Sequence, residues 1–285
     1  MSEQIITSVQ NPKVKRLLAL QQKSSERRES GLFVVEGKRE LQHCLDAGYE
    51  LDTVFICEMG TVNTEEGTMA QPISHFSSLT SHLFLVSPQV YEKMAYRGST
   101  EGIIAIVKSR ALTLADLRLP ENPLLVVLES VEKPGNLGAV LRSADAAKAD
   151  AVIVCDPLTD LYNPNLIRAS IGAAFTVPCV ACSSEECIAF LKRRGISILT
   201  AQLQDSSLYY DTDMKGPTAL VMGTEATGLT TQWREAATAH IRIPMLGSLD
   251  SLNVSVSTAI LLFEAVRQRR LNSEGSAEIP PRTLE

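Results

Sequence analysis

The 285-residue chain has no apolar run near the roughly 18–20 residues that a membrane-spanning helix needs. Its first residues, MSEQIITSVQ, carry neither the apolar core of a secretory signal nor the arginine-rich character of a transit peptide. These absences lead to the expectation of a cytoplasmic protein without a membrane partner. Histidine is scarce: His43, His75, His82 and His240 are scattered without ligand spacing. The six cysteines make no disulfide framework in a chain this long that lacks a secretion signal. Cys179 and Cys182 form a C-x-x-C, but zinc would need two more ligands and only Cys187 lies nearby. Buried thiols and no metal are expected. Phosphate loops of the G-x-G-x-x-G and Walker A types are missing, and so is a G-x-S-x-G elbow. A standard dinucleotide site, a P-loop nucleotidase and a serine hydrolase are therefore unsupported.

What is present is a chain with 45% hydrophobic residues, enough for real cores and long enough for about two domains. The net charge of −6 argues against a protein that coats nucleic acid indiscriminately. Charge is uneven, however. Between residues 11 and 39 eight basic residues, among them Lys13, Arg16, Arg27, Arg28, Lys38 and Arg39, face three glutamates. A basic region on an acidic protein fits a phosphate-bearing partner, although a solvated helix face would look the same.

Strand and helix patterns alternate over the first hundred residues. A helix begins at Asn11-Pro12, and Phe33–Glu36 reads as a strand that ends on Glu36-Gly37. A helix over Lys38–Ala47, strands at Val54–Cys57 and Leu83–Val86, a helix at 88–95 and a closing strand at Gly102–Val107 complete an α/β domain over residues 1–109. Residues 60–75 are polar and turn-rich, so a loop is expected there. Glu36 has no partner identifiable from sequence and is assigned a structural or substrate-contacting role. Residues 110–122 lose the apolar pattern, end in prolines and read as a linker. The tail 273–285 has no packable pattern and is expected to be disordered.

Residues 123–272 read as a second α/β domain, and three of its strands run into polar, glycine-bearing loops. The strand Leu124–Leu128 leads to Asn136, expected to cap a helix whose apolar face is Leu137, Val140, Leu141, Ala144 and Ala147. Arg142 falls opposite, among Gly138, Ala139 and Ala146. Small residues around one arginine suggest a second buried face, with an exposed arginine as the alternative. The strand Thr218–Met222 ends in Gly223-Thr-Glu225-Ala-Thr-Gly228, where ligands bind in open α/β sheets. The third passage, Ile241–Thr258, runs from a short strand through a loop of small and polar residues into a long helix from Val254. Such a loop suits an anion or the polar edge of a ligand, with a plain strand-to-helix turn capped by Asn253 or Ser255 as the alternative.

Together the stretches Asn136-Leu-Gly-Ala-Val-Leu-Arg142-Ser-Ala-Asp145, Val221-Met-Gly-Thr-Glu225-Ala-Thr-Gly228-Leu229 and Ile243-Pro-Met-Leu-Gly-Ser-Leu-Asp-Ser251-Leu-Asn253-Val-Ser255 resemble the three motifs of the SpoU/TrmH family of RNA ribose 2′-O-methyltransferases, in the SPOUT superfamily. They stand in the family's order. The first hundred residues resemble that family's L30e-like substrate-binding domain through Asn11-Pro12, Phe33–Gly37 and Gly102–Val107.

The resemblance implies an α/β fold with a deep trefoil knot, a homodimer, and S-adenosylmethionine as cofactor. It implies cofactor contacts at Thr200 and Ala201, at Gly223 and Glu225, and along Ile243, Pro244, Met245, Leu252 and Asn253. Catalytic roles would fall to Arg142, Asn136, Glu225, Ser251 and Asn253. Arg142 and the basic residues Lys13, Arg16, Arg27, Arg28, Lys38 and Arg39 would meet RNA, most simply ribosomal RNA. A tRNA substrate, or an RNA-binding protein that has lost transfer, are the alternatives. Whether Arg142 acts as a base or as an orienting charge stays open, because a guanidinium resists deprotonation.

Overall fold

The computed structural model describes residues 5–58, 80, 82–96, 101–224 and 227–272. The loop expected at 60–75, the tail 273–285 and Glu225 lie outside the described residues. The chain divides into two units, and neither is continuous in sequence. The first takes Met1–Leu112, Glu132–Arg142 and Leu158–Pro178; the second takes Thr113–Val131, Ser143–Pro157 and Cys179–Glu285.

The first unit is built on a four-stranded mixed sheet. Its strands are β1 (Leu32–Glu36), β2 (Leu51–Cys57), β3 (Leu83–Val86) and β4 (Ile103–Lys108), in the order β1-β4-β2-β3. Helix α1 (Pro12–Gln22) starts where the sequence requires. The Asn11 Oδ1 accepts from the Lys13 amide at 2.9 Å, and Pro12 loses nothing in a first turn that has no intrahelical donor to satisfy. Its Val14, Leu17 and Leu20 recur at helical spacing and are buried with Phe55, Ile104 and Ile106 on one face of the sheet, where Val90 and Met94 of α4 (Pro88–Met94) join them. The charged patch Ser24–Ser30, which has no apolar periodicity, is nonetheless a helix, α2; Gly31 ends it in the left-handed region at φ 64°.

The other face of this sheet packs Phe33, Val35 and Ala105 against Leu41 and Cys44 of α3 (Lys38–Asp46). Residues from far along the chain join that layer. Tyr162 stacks on Phe33 with ring centroids 4.3 Å apart, and Ile167 and Phe175 enter the same cluster. After Asn163 the chain forms two helices, α6 (Pro164–Ser170) and α7 (Ala173–Thr176), broken at Ile171 and Gly172, both at positive φ.

The second unit holds seven strands, all parallel. They are β5 (Leu124–Glu129), β6 (Ala151–Cys155), β7 (Cys179–Cys182), β8 (Ser197–Ala201), β9 (Ser207–Leu208), β10 (Thr218–Met222) and β11 (Ala239–Arg242), in the order β7-β6-β5-β10-β8-β11-β9. A parallel sheet is covered on both faces, which explains why β5, β6 and β10 are near-continuous apolar runs, broken only by Glu129 and Thr218 at strand ends, and fully buried. Helix α8 (Ser184–Arg193) opens on a capping box: Ser183 Oγ accepts from the Glu186 amide while the Glu186 carboxylate accepts from the Ser183 amide. On α9 (Thr231–Ala236), Trp233 is wholly buried, and its indole N–H donates to Ser184 Oγ at 2.9 Å.

The closing helix α10 (Val254–Asn272) is anchored by Arg269, whose guanidinium donates to the carbonyls of Met214, Asn122, Pro123 and Gly216 at 2.6–3.1 Å. Burial pulls its pKa down, and the four carbonyls satisfy the charge that burial penalises. Among the described residues no helix is long and apolar enough to cross a membrane.

Helix α5 (Pro134–Ala146) begins two residues before the expected cap. Asn136 therefore sits inside the first turn and is not its N-cap; its amide donates to the Lys133 carbonyl at 3.0 Å. Leu137, Val140, Leu141, Ala144 and Ala147 are all buried, as the 100° spacing requires.

Candidate cofactor pocket and motif helix

Strands β10, β8 and β11 are neighbours and parallel, so the loops leaving their C-terminal ends meet at one edge of the sheet. They enclose a cavity of about 370 Å³, within the ~300–1,000 Å³ usual for small-molecule sites. Ala201 to Gln204 line it after β8, Met222 to Thr224 and Thr227 to Leu229 after β10, and Ile241 to Ile243, Met245 and Asp250 to Leu252 after β11.

Gly223 explains why this turn needs glycine: a Cβ there would come within 2.5 Å of the Gly228 carbonyl oxygen and the Leu229 nitrogen. Thr224 and Gly228 exchange backbone hydrogen bonds at 3.3 and 3.0 Å and pinch the loop shut, with Gly228 at φ 68°. Buried Glu129, the last residue of β5, fixes the far side. Its carboxylate accepts from the Thr230 amide at 2.9 Å and from the Thr230 hydroxyl at 2.6 Å.

Gln202 was not foreseen from sequence. Its Oε1 is buried on the cavity wall without a hydrogen-bond partner. An orphaned acceptor of this kind is costly unless a ligand donor satisfies it. Arg234, Arg242 and Asp250 also line the cavity, giving it charges of both signs. A neutral spacing pattern carries no trace of Gln202, because only the turn out of β8 aims it.

Of the residues expected at a cofactor, Ala201, Gly223, Ile243, Met245 and Leu252 line this cavity, together with Ser251 from the catalytic set. Thr200 lies behind the wall. It is fully buried, and its hydroxyl bonds His240 Nδ1 across the strand pair at 2.6 Å. Pro244 stands half-buried between two lining residues. Asn253 caps α10, its Oδ1 accepting from the Ser255 amide at 2.9 Å and the Ser255 hydroxyl at 2.6 Å. Asn136 and Arg142 belong to the first unit. Arg142 is exposed there, while Gly138 is buried: a Cβ at Gly138 would press on Ala169 and on the Leu166 carbonyl of α6. The second face of α5 is thus partly covered, with its arginine outward.

The basic region separates into two classes. Lys13, Arg16, Arg28, Lys38 and Arg39 are exposed; Arg16 pairs with Asp52 at 3.4 Å and Arg39 with Glu40 at 3.2 Å. The expectation that Arg27 meets RNA is corrected. Arg27 is 5% exposed, its Nε donates to Asp160 at 2.5 Å, and its Nη1 donates to the Leu20 and Gln21 carbonyls. It ties two chain segments together. Glu36 accepts from the Tyr96 amide at 2.9 Å, and the neighbouring Tyr91 phenol is pushed up to about 12 by burial and then by the Glu36 charge.

Residues 123–263 match the SpoU rRNA Methylase family, and residues 11–105 match the MRM3-like substrate binding domain. The chain is 34% identical over 236 residues to the 23S rRNA (guanosine-2′-O-)-methyltransferase RlmB of Photobacterium profundum, covering 80% of this chain and 96% of that protein. The chain belongs to the SpoU rRNA methylase family. It is an RNA ribose 2′-O-methyltransferase whose cofactor is S-adenosylmethionine. Solved structures agree with this along nearly the whole length. An RNA 2′-O ribose methyltransferase superposes with a TM-score of 0.80 at 39% identity, covering 94% of this chain and 100% of that one. The AdoMet-bound rRNA methyltransferase of Sinorhizobium meliloti superposes at 0.84 with 30% identity, covering 93% and 97%. S-adenosylmethionine carries N–H donors on its adenine and its ammonium, and its adenosine needs close approach to backbone. The orphaned Gln202 acceptor and the glycine cradle at Gly223 fit that requirement.

Proposed function

We propose that this protein methylates the 2′-oxygen of a guanosine in large-subunit ribosomal RNA. The observation that carries the reading is the cavity walled by all three β8, β10 and β11 loops, in a chain that aligns with nearly the whole of an RlmB protein. Bound cofactor supplies an electrophilic methyl group on a sulfonium. In this reading Arg234 or Arg242 holds its carboxylate, Asp250 faces its positive end, and the Gln202 Oε1 accepts from a donor. Glu225, which lies outside the described residues, is assigned to the site by the motif resemblance alone.

The ribose oxygen would lie in line with the methyl carbon, so that the C–O bond forms as the methyl–sulfur bond breaks with its electron pair left on sulfur, and the hydroxyl proton leaves to solvent water. Arg142 is assigned to this step as a fixed positive charge that orients the hydroxyl and stabilises negative charge developing on oxygen. A guanidinium stays protonated at neutral pH, so the proton passes to another acceptor. Asn136, Ser251 and Asn253 hold the surrounding backbone and the nucleotide.

Residues 1–109 act as the RNA-holding domain and 123–272 as the transferase domain, knotted as in the family. The exposed Lys13, Arg16, Arg28, Lys38 and Arg39 meet phosphates, which positions RNA without reading its sequence. The protein works in the cytoplasm as a homodimer. Support for the dimer comes from apolar surface on the second unit, where Leu246 is 96% and Leu249 75% exposed and Phe263 stands outward on α10.

The test is transfer of labelled methyl to ribosomal RNA from a strain lacking the modification, followed by digestion to nucleosides. Label in 2′-O-methylguanosine supports the reading. Label in a base, or transfer to tRNA alone, overturns the substrate assignment.

A further inference from the structure

Away from the cofactor pocket, the second unit gathers three thiols from three elements. Cys155 ends β6, Cys182 ends β7 as its register partner, and Cys187 lies in the early turns of α8. Their Sγ atoms all lie within 4.8 Å of one another. The C-x-x-C of the sequence is not this cluster. Residues i and i+3 of a strand point to opposite faces, so Cys179 cannot join Cys182.

Core thiols ordinarily serve as small hydrophobes, and the buried Cys155 and Cys187 would pass for that alone. The third member differs. Cys182 is half-buried and lines an open groove with Ala181, Glu186 and Phe190, so the cluster has a route to solvent. Three sulfurs bound to one metal at about 2.3 Å stand roughly 4 Å apart. Small χ1 adjustments at three side chains bring the observed spacing there.

The groove carries charges of both signs, Arg193 and Arg194 as well as Glu185 and Glu186, but the charges that act on the Cys182 thiol are the acids Glu186 and Asp156. The Asp156 carboxylate accepts from Ser184 Oγ at 2.6 Å, and Glu186 accepts from the Ser183 amide at 2.9 Å. Both acids are held beside the thiols by bonds that leave them as negative charge and not as ligands. Three thiolates with a divalent ion carry one net negative charge, and with a monovalent ion two. Next to two carboxylates the divalent ion is the better match. Among the described residues no fourth His, Cys or carboxylate completes the set, and the groove admits water to that position.

We infer that Cys155, Cys182 and Cys187 form a zinc site with solvent as fourth ligand, clamping the ends of β6 and β7 to α8. The full-length protein, reduced and stripped with chelator, is titrated with Co(II). One equivalent should develop thiolate-to-cobalt charge-transfer absorption, and Zn(II) should displace it. Zn(II) should also raise the Tm of the wild type by several degrees. Both responses should vanish in Cys182→Ala and in Cys187→Ser, and persist in Cys44→Ser, which alters a buried thiol of the first unit. Retained S-adenosylmethionine binding shows that each variant is folded. A reduced wild type that binds neither ion, or variants that bind as well as wild type, overturns the inference. Binding of Cu(I) alone, or a disulfide among the three cysteines without metal, overturns it equally.

Discussion

The two sheets of this protein differ in strand direction, and that difference decides which of them carries chemistry. In the mixed four-stranded sheet, β4 runs against both β1 and β2, so its connecting loops are shared between opposite edges. In the seven-stranded sheet every pair is parallel. All C-terminal ends then fall on one edge, and the loops after β8, β10 and β11 have to converge. The strand order also reverses between β5 and β10, the place where open α/β sheets leave a crevice. The first sheet is left to hold exposed cations on its helices. Among the described residues of that unit the deeply buried cation is Arg27, which works as a structural tie.

Substitutions in the two units should therefore separate folding, chemistry, cofactor binding and RNA affinity. The largest effect is expected from Arg27→Ala. It strands Asp160 and two carbonyls, at a cost of about 3–5 kcal/mol to the stability of the first unit. Denaturant melts monitored in each unit would show this; an unchanged midpoint would make Arg27 a surface group after all.

Next comes Arg142→Ala, expected to lower kcat for methyl transfer roughly 10²–10³-fold, as loss of one transition-state donor does. Calorimetry with S-adenosylmethionine should show affinity held, and a matching loss of cofactor binding would contradict the assigned role. Gly223→Ala does the reverse. Its methyl group collides with backbone at Gly228, so overpacking of about 1–3 kcal/mol should fall on the pocket. Cofactor Kd should rise about tenfold or more while RNA binding stays level. The smallest effect belongs to Arg28→Ala. One phosphate contact fewer should reduce the slope of log K against log salt by about 0.7–0.9, without changing which RNA is preferred. A salt slope equal to wild type would take Arg28 out of the RNA interface.

Much of this was legible beforehand because it rests on local rules. Asn11-Pro12 announced α1, the apolar runs announced β5 and β10, and the 100° spacing picked out the buried face of α5. Ala201, Gly223, Met245, Ser251 and Leu252 were nominated through the motif resemblance and not by a local rule, and they line the cavity. The sequence misled where a tertiary partner overrode the local signal. Ser24–Ser30 shows no apolar stripe, yet it is helical around Arg27, whose partner Asp160 lies far along the chain. Asn136 has the chemistry of a cap, but the helix starts at Pro134.

By itself, then, the sequence determined the order of strands and helices, the apolar faces and the three glycine-bearing loops. Those follow from backbone geometry and side-chain periodicity over a few residues. Only the tertiary structure decided that residues 158–178 pack with the first sheet, that Gln202 presents an orphaned acceptor, and that Cys155 meets Cys182 and Cys187. Each of these depends on strand register or on contacts between residues distant in the chain, and no local pattern encodes either.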